Sequence, residues 1–532
     1  MLDTIVALST PPGTSGLAIL RLSGPACRDI VAAHLGRSNP QPRHVYYGAF
    51  RVAVASADPG SASGAASGTT SDTVVSADAP ATTRSGEILD RLNFVHFPSP
   101  GSSTGEDVLE LYPHGNMLLA DRILKVLLDH PGVRMAGPGE FTRRSFENGK
   151  IDLLQAEAVG QLIHAQTLEA LRNAQRIAAG DLSAPLKALR DSLVDLSVRL
   201  ELDVDFSEEE ADPDYASWMP RLESVLASLK KLASGFAKGR GLARAPRVVI
   251  LGAPNAGKSS LINALVEEDR LLVSEIPGTT RDYVEVTLRL PNGLVHLVDT
   301  AGLGKPVDGL DKLAMERTRK QSGQADLRIW VQDGTTQEPT GQAGTAQKSE
   351  GIAGTSVNGV AVPGGKVDAN RSGSVAGVAA DGVRTGTLAA GVAVDEGRSV
   401  ADEPGLAADD GFALRLLTKS DLPGFQSREG YLAVSNRTRA GLEEFRTQLD
   451  RLVFRDRGMG EDIVLTTERQ FRAVEAARER VEVALQGMRG KPAIEILAFE
   501  IREAAGHLQE LLGEISTDEI LGKIFSGFCI GK

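Results

Sequence analysis

The sequence contains few cysteines and few aromatic residues, and both scarcities narrow the class of protein. Cys27 and Cys529 are the two cysteines in 532 residues, so the chain has no disulfide framework of the kind that stabilises small secreted domains. Phe, Trp and Tyr together make up 4% of the chain. Because two isolated thiols suit a reducing compartment, we expect a cytoplasmic protein.

Long apolar runs and an excess of positive charge are lacking as well. No stretch approaches the ~18 consecutive apolar residues of a membrane span, so no membrane association is expected. Asp3 stands where a signal peptide carries basic residues. The net charge of −12 argues against a general nucleic-acid coat, which leaves any RNA contact to a local patch or to a partner.

Two segments lack the bulky apolar residues that a folded core requires. Residues 53–86 and 334–410 consist mainly of Gly, Ala, Ser, Thr and Val, and neither shows the period of a helix or a strand. Their side chains bury too little apolar surface to offset the entropy of ordering. We therefore predict two disordered inserts, with a Val/Ala-rich β repeat as the alternative for the second.

The rest of the chain is too long for one core and divides into four parts. Residues 1–150 mix strand and helix patterns and predict an α+β domain. Residues 151–245 and 456–532 carry apolar residues three and four apart, which predicts a helical bundle domain. Residues 246–455 alternate buried strands with helices and predict an inserted α/β domain with a mainly parallel sheet. We interpret these apolar stripes as the core of the bundle, with a coiled-coil dimer seam as the alternative. The stripes are Leu182, Leu186, Leu189, Leu193, Leu196 and Leu200, then Leu222, Leu226, Leu229 and Leu232, then Leu497, Ile501, Ala504, Leu508 and Leu511.

A phosphate-binding loop is predicted by "GAPNAGKSS", which starts at Gly252 and fits G-x-x-x-x-G-K-[ST] between a strand and a helix. In such a loop the backbone N–H groups face phosphate, Lys258 neutralises the β- and γ-phosphates, and the Ser259 hydroxyl coordinates Mg²⁺. Asp299 of "DTAG" would hold the metal through its water shell. The N–H of Gly302 would sense the γ-phosphate.

The base specificity is indicated by "TKSD", residues 418–421. Asp421 can pair with N1–H and N2–H₂ of guanine, and Lys419 can lie over the base. Such a site rejects adenine, because the carboxylate would be left unpaired. Thr418 replaces the usual Asn, which weakens one base and loop contact, and Asn436 departs from the usual second guanine loop. The sequence predicts GTP as the nucleotide.

The hydrolytic machinery differs from that of Ras-like GTPases, which place a water-orienting Gln after "DTAG". Here Leu303 follows, and a leucine cannot orient water. Asp311 could position water through its carboxylate, with a helix N-cap or a solvated charge as the alternative. Thr280 is the predicted second Mg²⁺ ligand, and Asn255 could bind a monovalent cation. The residues that these motifs predict to bind nucleotide are Asn255, Ala256, Gly257, Lys258, Ser259, Ser260, Pro277, Gly278, Thr279, Thr280, Asp299, Thr300, Ala301, Gly302, Thr418, Lys419 and Asp421.

Several long motifs in one order give the chain a family resemblance. It resembles the MnmE (TrmE) tRNA-modification GTPases in "DTIVALSTPPGTSGLAILRLSG", "TGEDVLELYPHG", "PGEFTRRSFENGKIDLLQAEAV", "PNAGKSSLINAL", "IPGTTRD" and "IFSGFCIGK". The resemblance spans the chain except for the two inserts. It implies an N-terminal domain similar to tetrahydrofolate-binding folds, a helical bundle domain and an inserted Ras-like P-loop GTPase domain.

The resemblance also implies a function and partners. Such proteins are GTPases that depend on potassium and form homodimers, and their G domains meet when GTP, Mg²⁺ and K⁺ bind. With an FAD-binding MnmG (GidA) partner, in a heterotetramer, they add an aminomethyl or carboxymethylaminomethyl group to C5 of the tRNA wobble uridine. A 5-formyl- or methylene-tetrahydrofolate supplies the one-carbon unit. A regulatory GTP switch for ribosome or cofactor assembly is the alternative function.

The resemblance assigns further roles position by position. Arg21, Glu110, Lys150 and Lys532 match folate-contacting positions, although by residue type alone each would be interpreted as a surface charge. Asp311 stands where the family has Glu, and a carboxylate misplaced by about 1 Å can cost roughly 100-fold in rate. The resemblance also extends the predicted nucleotide-binding loop to Ser274, Glu275 and Ile276. The positions that match potassium ligands are Asn255, Ser274, Ile276 and Thr279.

The C-terminal "CIGK" is a poor prenylation signal, because Gly531 and Lys532 follow the aliphatic position. Ser516 and Glu519 predict a capping box. After it, three apolar residues are spaced so that they would lie on one face of a short predicted helix that ends near Cys529. We therefore expect the Cys529 thiol to be held against the N-terminal domain as a nucleophile or an acid–base group. The three apolar residues are Ile520, Ile524 and Phe528.

Overall fold

The computed structural model describes residues 3–52, 86–205, 215–242, 244–268, 284–299, 325–336, 413–454, 462–490 and 494–531. Nearly all of the two predicted inserts therefore lies outside the described residues. Within these ranges, no helix has the length and apolar character to cross a membrane.

The N-terminal region is a six-stranded mixed sheet in the strand order β4-β5-β6-β3-β1-β8, with the helices at 27–35 and 117–128 packed on one face and Phe141 of a third helix packed on the other. Side chains alternate across β3 and β6, as they do in any strand. Leu20, Leu22 and Leu109 are fully buried under the helices, and Arg21 and Glu110 lie on the opposite face. The predicted α+β character is confirmed. The elements are β1 Thr4–Leu8, β2 Ser15–Leu17, β3 Leu20–Ser23, α1 Cys27–Leu35, β4 Val45–Val52, β5 Glu87–Phe97, β6 Val108–Tyr112, β7 His114–Gly115, α2 Met117–Leu128, β8 Val133–Met135 and α3 Glu140–Glu147.

A helical bundle follows, and its core is built from the predicted apolar stripes. Each residue of those stripes is either buried in one cluster or packed against it. The stripes therefore face the inside of the bundle, which confirms their interpretation as core. The helices are α4 Leu153–His164, α5 Leu168–Ala179, α6 Ser183–Asp205, α7 Tyr215–Ser234 and α8 Phe236–Leu242, and later α11 Glu468–Arg489 and α12 Ile494–Leu512.

Between the two helical parts lies a second six-stranded sheet, in the order β10-β11-β9-β12-β13-β14. β10 pairs antiparallel with β11, and the other neighbours are parallel. This is the mainly parallel sheet that the sequence predicts, and the carboxyl ends of its parallel strands meet at one edge. Its elements are β9 Arg247–Leu251, α9 Lys258–Glu268, β10 Val284–Leu290, β11 Gly293–Asp299, β12 Leu327–Asp333, β13 Leu414–Thr418, β14 Leu432–Ala433 and α10 Leu442–Phe454.

The last helix, α13 (Asp518–Ser526), begins one residue later than predicted. Its N-cap is Thr517, whose hydroxyl accepts a hydrogen bond from the N–H of Ile520 at 3.4 Å. The predicted Ser516–Glu519 capping box is wrong, because Glu519 instead pairs with Lys523 at 2.8 Å. The shift also changes the buried face: Leu521 and Phe525 are buried, whereas the three predicted residues Ile520, Ile524 and Phe528 are only partly buried.

Candidate functional site

The predicted phosphate loop connects β9 to α9 and depends on unusual backbone angles. Gly252 has a φ of 148°, and a Cβ there would lie 2.0 Å from the carbonyl oxygen of Val331. Gly257 has a φ of 87°, and Asn255 also takes a left-handed conformation, with a φ of 63°. These positions give the loop the tight curl that a phosphate-binding loop requires.

The metal-binding pair predicted from the sequence is brought together in this loop. Because Asp299 pairs with Ile250 across the parallel strands β11 and β9, its carboxylate lies beside the loop. The Ser259 hydroxyl donates to Asp299 Oδ2 at 2.6 Å. Hydroxyl and carboxylate oxygens are the hard ligands that Mg²⁺ prefers, so this pair is chemically suited to a divalent cation.

Lys258 lies under the loop and is nearly buried. Its Nζ donates to the carbonyl oxygens of Gly252 and Ala253 at 2.7 and 2.8 Å. Burial lowers the pKa of Lys258, and the negative charge of Asp299 opposes that shift. A phosphate at the loop would replace carbonyl dipoles with full charges, which favours the charged lysine.

The base side of the site begins at Thr418, which is fully buried at the end of β13. Its hydroxyl donates to the carbonyl oxygen of Ala256 at 2.6 Å. From the sequence we expect threonine in place of the usual Asn to weaken the loop contact, but Thr418 makes a direct hydrogen bond to the phosphate loop. A short hydroxyl side chain achieves this because β13 ends immediately beside the loop.

The two predicted guanine-reading side chains each have a protein partner. Lys419 contacts Asp333 at 2.5 Å. Asp421 accepts from Ser435 Oγ at 2.6 Å, and its other oxygen lies 2.9 Å from Arg437 Nε. The hydrogen bond from Ser435 is the main reason that the pKa of Asp421 is lowered, so this carboxylate stays ionised. An ionised carboxylate can accept hydrogen bonds from the N–H groups of a nucleobase.

The sequence predicts no role for Ser435, and it marks Asn436 only as a departure from the usual second guanine loop. Both follow β14 at the same sheet edge as Thr418, so their position in the strand pattern could have pointed to them. Ser435 orients Asp421, and Asn436 Nδ2 donates to the carbonyl oxygen of Gly257 at 3.2 Å. The segment that departs from the usual guanine loop therefore still links the base side to the phosphate loop.

A second cluster lies on the face of the N-terminal sheet opposite to α1 and α2, beside Phe141 of α3. Arg21 and Glu110 are directly opposite each other on β3 and β6, and Arg21 Nε lies 2.8 Å from Glu110 Oε1. Tyr112 donates to the other carboxylate oxygen of Glu110. Burial, followed by this hydrogen bond, raises the pKa of Tyr112. Tyr112 was not predicted, although its place two residues after Glu110 puts it on the same face of the strand.

The C-terminal segment runs along this cluster. The carbonyl oxygen of Gly531 accepts from Ser9 Oγ at 3.1 Å and from Arg21 Nη1 at 3.5 Å. Ile530 forms a β-bridge with Pro138. The backbone of Cys529 is fixed by the N–H of Gly139 at 3.4 Å, and the residue is exposed.

The other two predicted folate positions are Lys150 and Lys532. Lys150 donates to the carbonyl oxygen of Pro100 at 3.0 Å. Lys532 lies outside the described residues. The other predicted positions outside them are Ser274, Glu275, Ile276, Pro277, Gly278, Thr279, Thr280, Thr300, Ala301, Gly302 and Asp311.

Comparison with known families identifies the chain. The family described as "GTP-binding protein TrmE N-terminus" matches residues 4–150, and "MnmE helical domain" matches residues 153–529. The chain belongs to the MnmE/TrmE family. The two matches cover the N-terminal sheet, the helical bundle and the inserted phosphate-loop sheet, so the chain is a TrmE-type GTPase.

Solved structures of other GTP-binding proteins also match. One is a GTP-binding protein from the hyperthermophilic archaeon Sulfolobus solfataricus in complex with GDP, 13% identical over 63% of this chain and 85% of that chain, with a TM-score of 0.20. Another, described as a complex of SsGBP and GDP, is 12% identical over 64% of this chain and 86% of that chain, with a TM-score of 0.21. Scores this low carry no structural argument, and the family assignment rests on the two family matches.

Proposed function

We propose that this protein is a homodimeric, potassium-dependent, cytoplasmic GTPase that modifies tRNA. With an FAD-binding MnmG-type partner it would add an aminomethyl or carboxymethylaminomethyl group to C5 of the wobble uridine. The observation that supports this most directly is the docking of the C-terminal segment on Arg21, which pairs with Glu110. Cys529 lies two residues before this contact and is exposed, which supports a role for its thiol near the predicted folate positions.

The residues of the second cluster suit a folate in charge and exposure. The side chains of Arg21 and Glu110 are 24% and 15% exposed, so each is ordered and still accessible. A guanidinium can bind a folate carboxylate, and a carboxylate can accept from the pterin N–H edge. A 5-formyl- or methylene-tetrahydrofolate would supply the one-carbon unit. Arg21 and Glu110 would orient it, and Cys529 would act as nucleophile or hold a proton. Lys150 and Lys532 are proposed to complete the folate contacts.

The nucleotide site is proposed to bind GTP with Mg²⁺ and K⁺. Ser259 and Thr280 would hold Mg²⁺, with Asp299 behind its water shell. Asn255, Ser274, Ile276 and Thr279 would surround K⁺, and Asp311 would orient the attacking water. Pairing of Asp421 with guanine would select GTP over ATP.

The experiment that tests the tRNA role replaces Cys529 in cells that lack the native protein. Nucleoside mass spectrometry of total tRNA should show loss of the wobble modification with Cys529→Ser, and purified Cys529→Ser should hydrolyse GTP at the native rate. Ser526→Ala, an exposed change three residues away, is the control and should restore modification. Full modification with Cys529→Ser would favour the regulatory switch instead.

The cation requirement is tested separately by steady-state GTP hydrolysis in matched KCl and NaCl buffers. We expect hydrolysis to be fast in potassium and slow in sodium, and Asn255→Ala to remove the difference. Equal rates of the native protein in both salts would refute the role of Asn255.

A further inference from the structure

Two successive carbonyl groups of the phosphate loop are held from the base side of the nucleotide site. The carbonyl oxygen of Ala256 accepts from the Thr418 hydroxyl at 2.6 Å. The carbonyl oxygen of Gly257 accepts from Asn436 Nδ2 at 3.2 Å. Both side chains reach the same part of the loop, because a Cβ built on Gly257 would lie 3.3 Å from Thr418 Oγ1 and 3.4 Å from Asn436 Nδ2. A hydroxyl from one strand end and an amide from the next therefore fix the loop together.

These contacts fix the direction of two backbone N–H groups. A trans peptide unit is planar, so its N–H points away from its own carbonyl oxygen. The Ala256 carbonyl shares a peptide unit with the N–H of Gly257, and the Gly257 carbonyl shares one with the N–H of Lys258. With both oxygens held toward the base-side strands, both N–H groups point away from those strands. Neither N–H has a protein acceptor among the described residues, so both can donate to a bound phosphate.

The Asn436 amide adds little to the stability of the fold. The Gly257 carbonyl also accepts from the N–H of Leu261 at 2.9 Å, the first bond of α9, so this oxygen has a partner without Asn436. The Asn436 Oδ1 is shielded from solvent and has no partner among the described residues. A buried oxygen without a donor costs free energy, which offsets the gain from the Nδ2 contact. We therefore expect the contact to act on the ligand of the loop rather than on folding.

The backbone that carries Asn436 is anchored to the sheet. The N–H of Val434 donates to the carbonyl oxygen of Leu417 at 2.8 Å, which ties the end of β14 to β13. The next residue, Ser435, donates through its hydroxyl to Asp421 at 2.6 Å. Two adjacent side chains on one fixed segment therefore contact the guanine-reading carboxylate and the phosphate loop.

We propose that Asn436 is a positioning residue for phosphate binding. It acts through the Gly257 carbonyl, directs the N–H of Lys258 toward the phosphates of a guanine nucleotide, and does not contact the base. The amide that is usual at position 418 is thus supplied from position 436, on the neighbouring strand end. The proposal rests on guanine-nucleotide binding at this site, and it is independent of the tRNA role of the protein.

The first test measures the Kd of a fluorescent GDP analogue with the full chain. Asn436→Ala should raise this Kd about three- to tenfold, as the loss of one hydrogen bond implies. The Tm of the nucleotide-free variant should stay within about 2 °C of the native value. Thr438→Ala, an exposed change two residues away, is the control and should bind GDP as the native protein does.

The outcomes of this test are distinct. An unchanged Kd in Asn436→Ala, or a Tm that falls together with the affinity, would overturn the proposal. A native protein that does not bind GDP would instead refute the nucleotide site itself.

Phosphorus NMR of bound GDP separates an effect on the phosphates from an effect on the base. At saturating GDP, Asn436→Ala should move the β-phosphate resonance, because the hydrogen bonds from the loop change. The proton resonance of guanine N1–H should stay at its native position. A β-phosphate resonance that does not move would overturn the proposal, and a shifted N1–H resonance would assign Asn436 to the base instead.

Moving the amide back to position 418 tests the exchange directly. Thr418→Asn combined with Asn436→Ala restores the usual residue at 418, and the removed side chain leaves room for it beside Gly257. We expect this double variant to bind GDP within about twofold of the native Kd, and therefore more tightly than Asn436→Ala alone. A double variant that binds no better than Asn436→Ala would refute the exchange.

Discussion

At the scale of single residues, Thr418 connects the base side of the nucleotide site to its phosphate side. The side chain is fully buried, and its hydroxyl bonds the carbonyl oxygen of Ala256. Because Asn is usual at this position, the sequence suggests that Thr418 weakens the contact with the phosphate loop. In the structure, the shorter threonine side chain still reaches that loop.

Replacing Thr418 by Val should weaken nucleotide binding, because the Ala256 carbonyl would lose its partner. The cost of about 1–3 kcal/mol corresponds to a roughly 5- to 150-fold higher Kd for a fluorescent GDP analogue. Thr418→Ser keeps the hydroxyl and should stay within about threefold of the native Kd. If Thr418→Val and Thr418→Ser bind alike, the loop contact does not contribute to affinity.

His34 is a second residue whose chemistry depends on its surroundings. Its ring stacks on Phe50 at 4.9 Å, and its Nδ1 lies 2.6 Å from the carbonyl oxygen of Arg51. Its Nε2 lies 2.7 Å from Nε2 of His130, so one ring must donate and the other accept. Burial lowers the pKa of His34 below its ordinary value of 6.5.

Stability should therefore depend on pH through His34. The unfolded chain binds the proton more readily than the folded one, so stability is complete above about pH 6.5 and falls as the pH drops toward the lowered folded-state pKa. His34→Phe keeps the stacking and should flatten the change of Tm between about pH 7.5 and 5.5. His44→Phe, at an exposed site, is the control. If Tm changes with pH in His34→Phe as it does in the native protein, other groups cause the pH dependence.

At the scale of elements, the docking of the last helix depends on one glycine. Gly139 has a φ of 65°, and a Cβ there would lie 2.8 Å from the carbonyl oxygen of Phe525 and 3.0 Å from Cβ of Phe528. Gly132 provides a comparison, since its φ is 76° but no atom lies within 4 Å of an added Cβ.

Gly139→Ala should therefore release α13 and the residues after it, whereas Gly132→Ala should cost only the strain of about 1 kcal/mol for the left-handed backbone. Hydrogen exchange of residues 518–531 is the measurement. We expect faster exchange there in Gly139→Ala and native exchange in Gly132→Ala. Native exchange in both variants would show that the contact at Gly139 does not hold the helix.

Most strands and bundle helices could be predicted from the sequence, because their apolar residues recur with the period of a strand or of a helix. Contacts that depend on residues far apart in the sequence could not be predicted in this way. Adjacent Ser516 and Thr517 are equally good caps, and packing of Leu521 and Phe525 decides between them. The short strands β2 and β3 follow each other closely in the sequence, yet β2 pairs with β7 while β3 joins the main sheet. The contact of Ser435 with Asp421 depends on where two strands end, which no local pattern contains.

At the scale of the whole molecule, the turn between β10 and β11 joins the nucleotide sheet to the bundle. The N–H of Leu168 donates to the carbonyl oxygen of Asn292 at 2.9 Å, and the N–H of Leu294 donates to that of Gln166 at 2.7 Å. Asp450, which lies on α10, accepts a hydrogen bond from the side-chain amide of Asn292. At Gly293 an added Cβ would lie 2.8 Å from the carbonyl oxygen of Gln166.

Gly293→Ala should loosen this junction. Gly13→Ala is the matched control, because Gly13 has the same φ of 153° and no atom within 4 Å of an added Cβ. We expect the amides of Leu168 and Leu294 to exchange at least about tenfold faster in Gly293→Ala, as a loss of about 1.4 kcal/mol implies. If the two amides exchange faster by the same factor in Gly293→Ala and Gly13→Ala, backbone strain alone accounts for the effect.

The two thiols of the chain differ in one further way that has a practical consequence. Cys27 is fully buried, and burial raises its pKa, so it is both inaccessible and protonated. Cys529 is exposed. A maleimide dye added to the native protein should therefore label one position, and no cysteine has to be removed first. Because that position lies beside the backbone contact with Gly139, the dye would report in real time whether the C-terminal segment is bound or released.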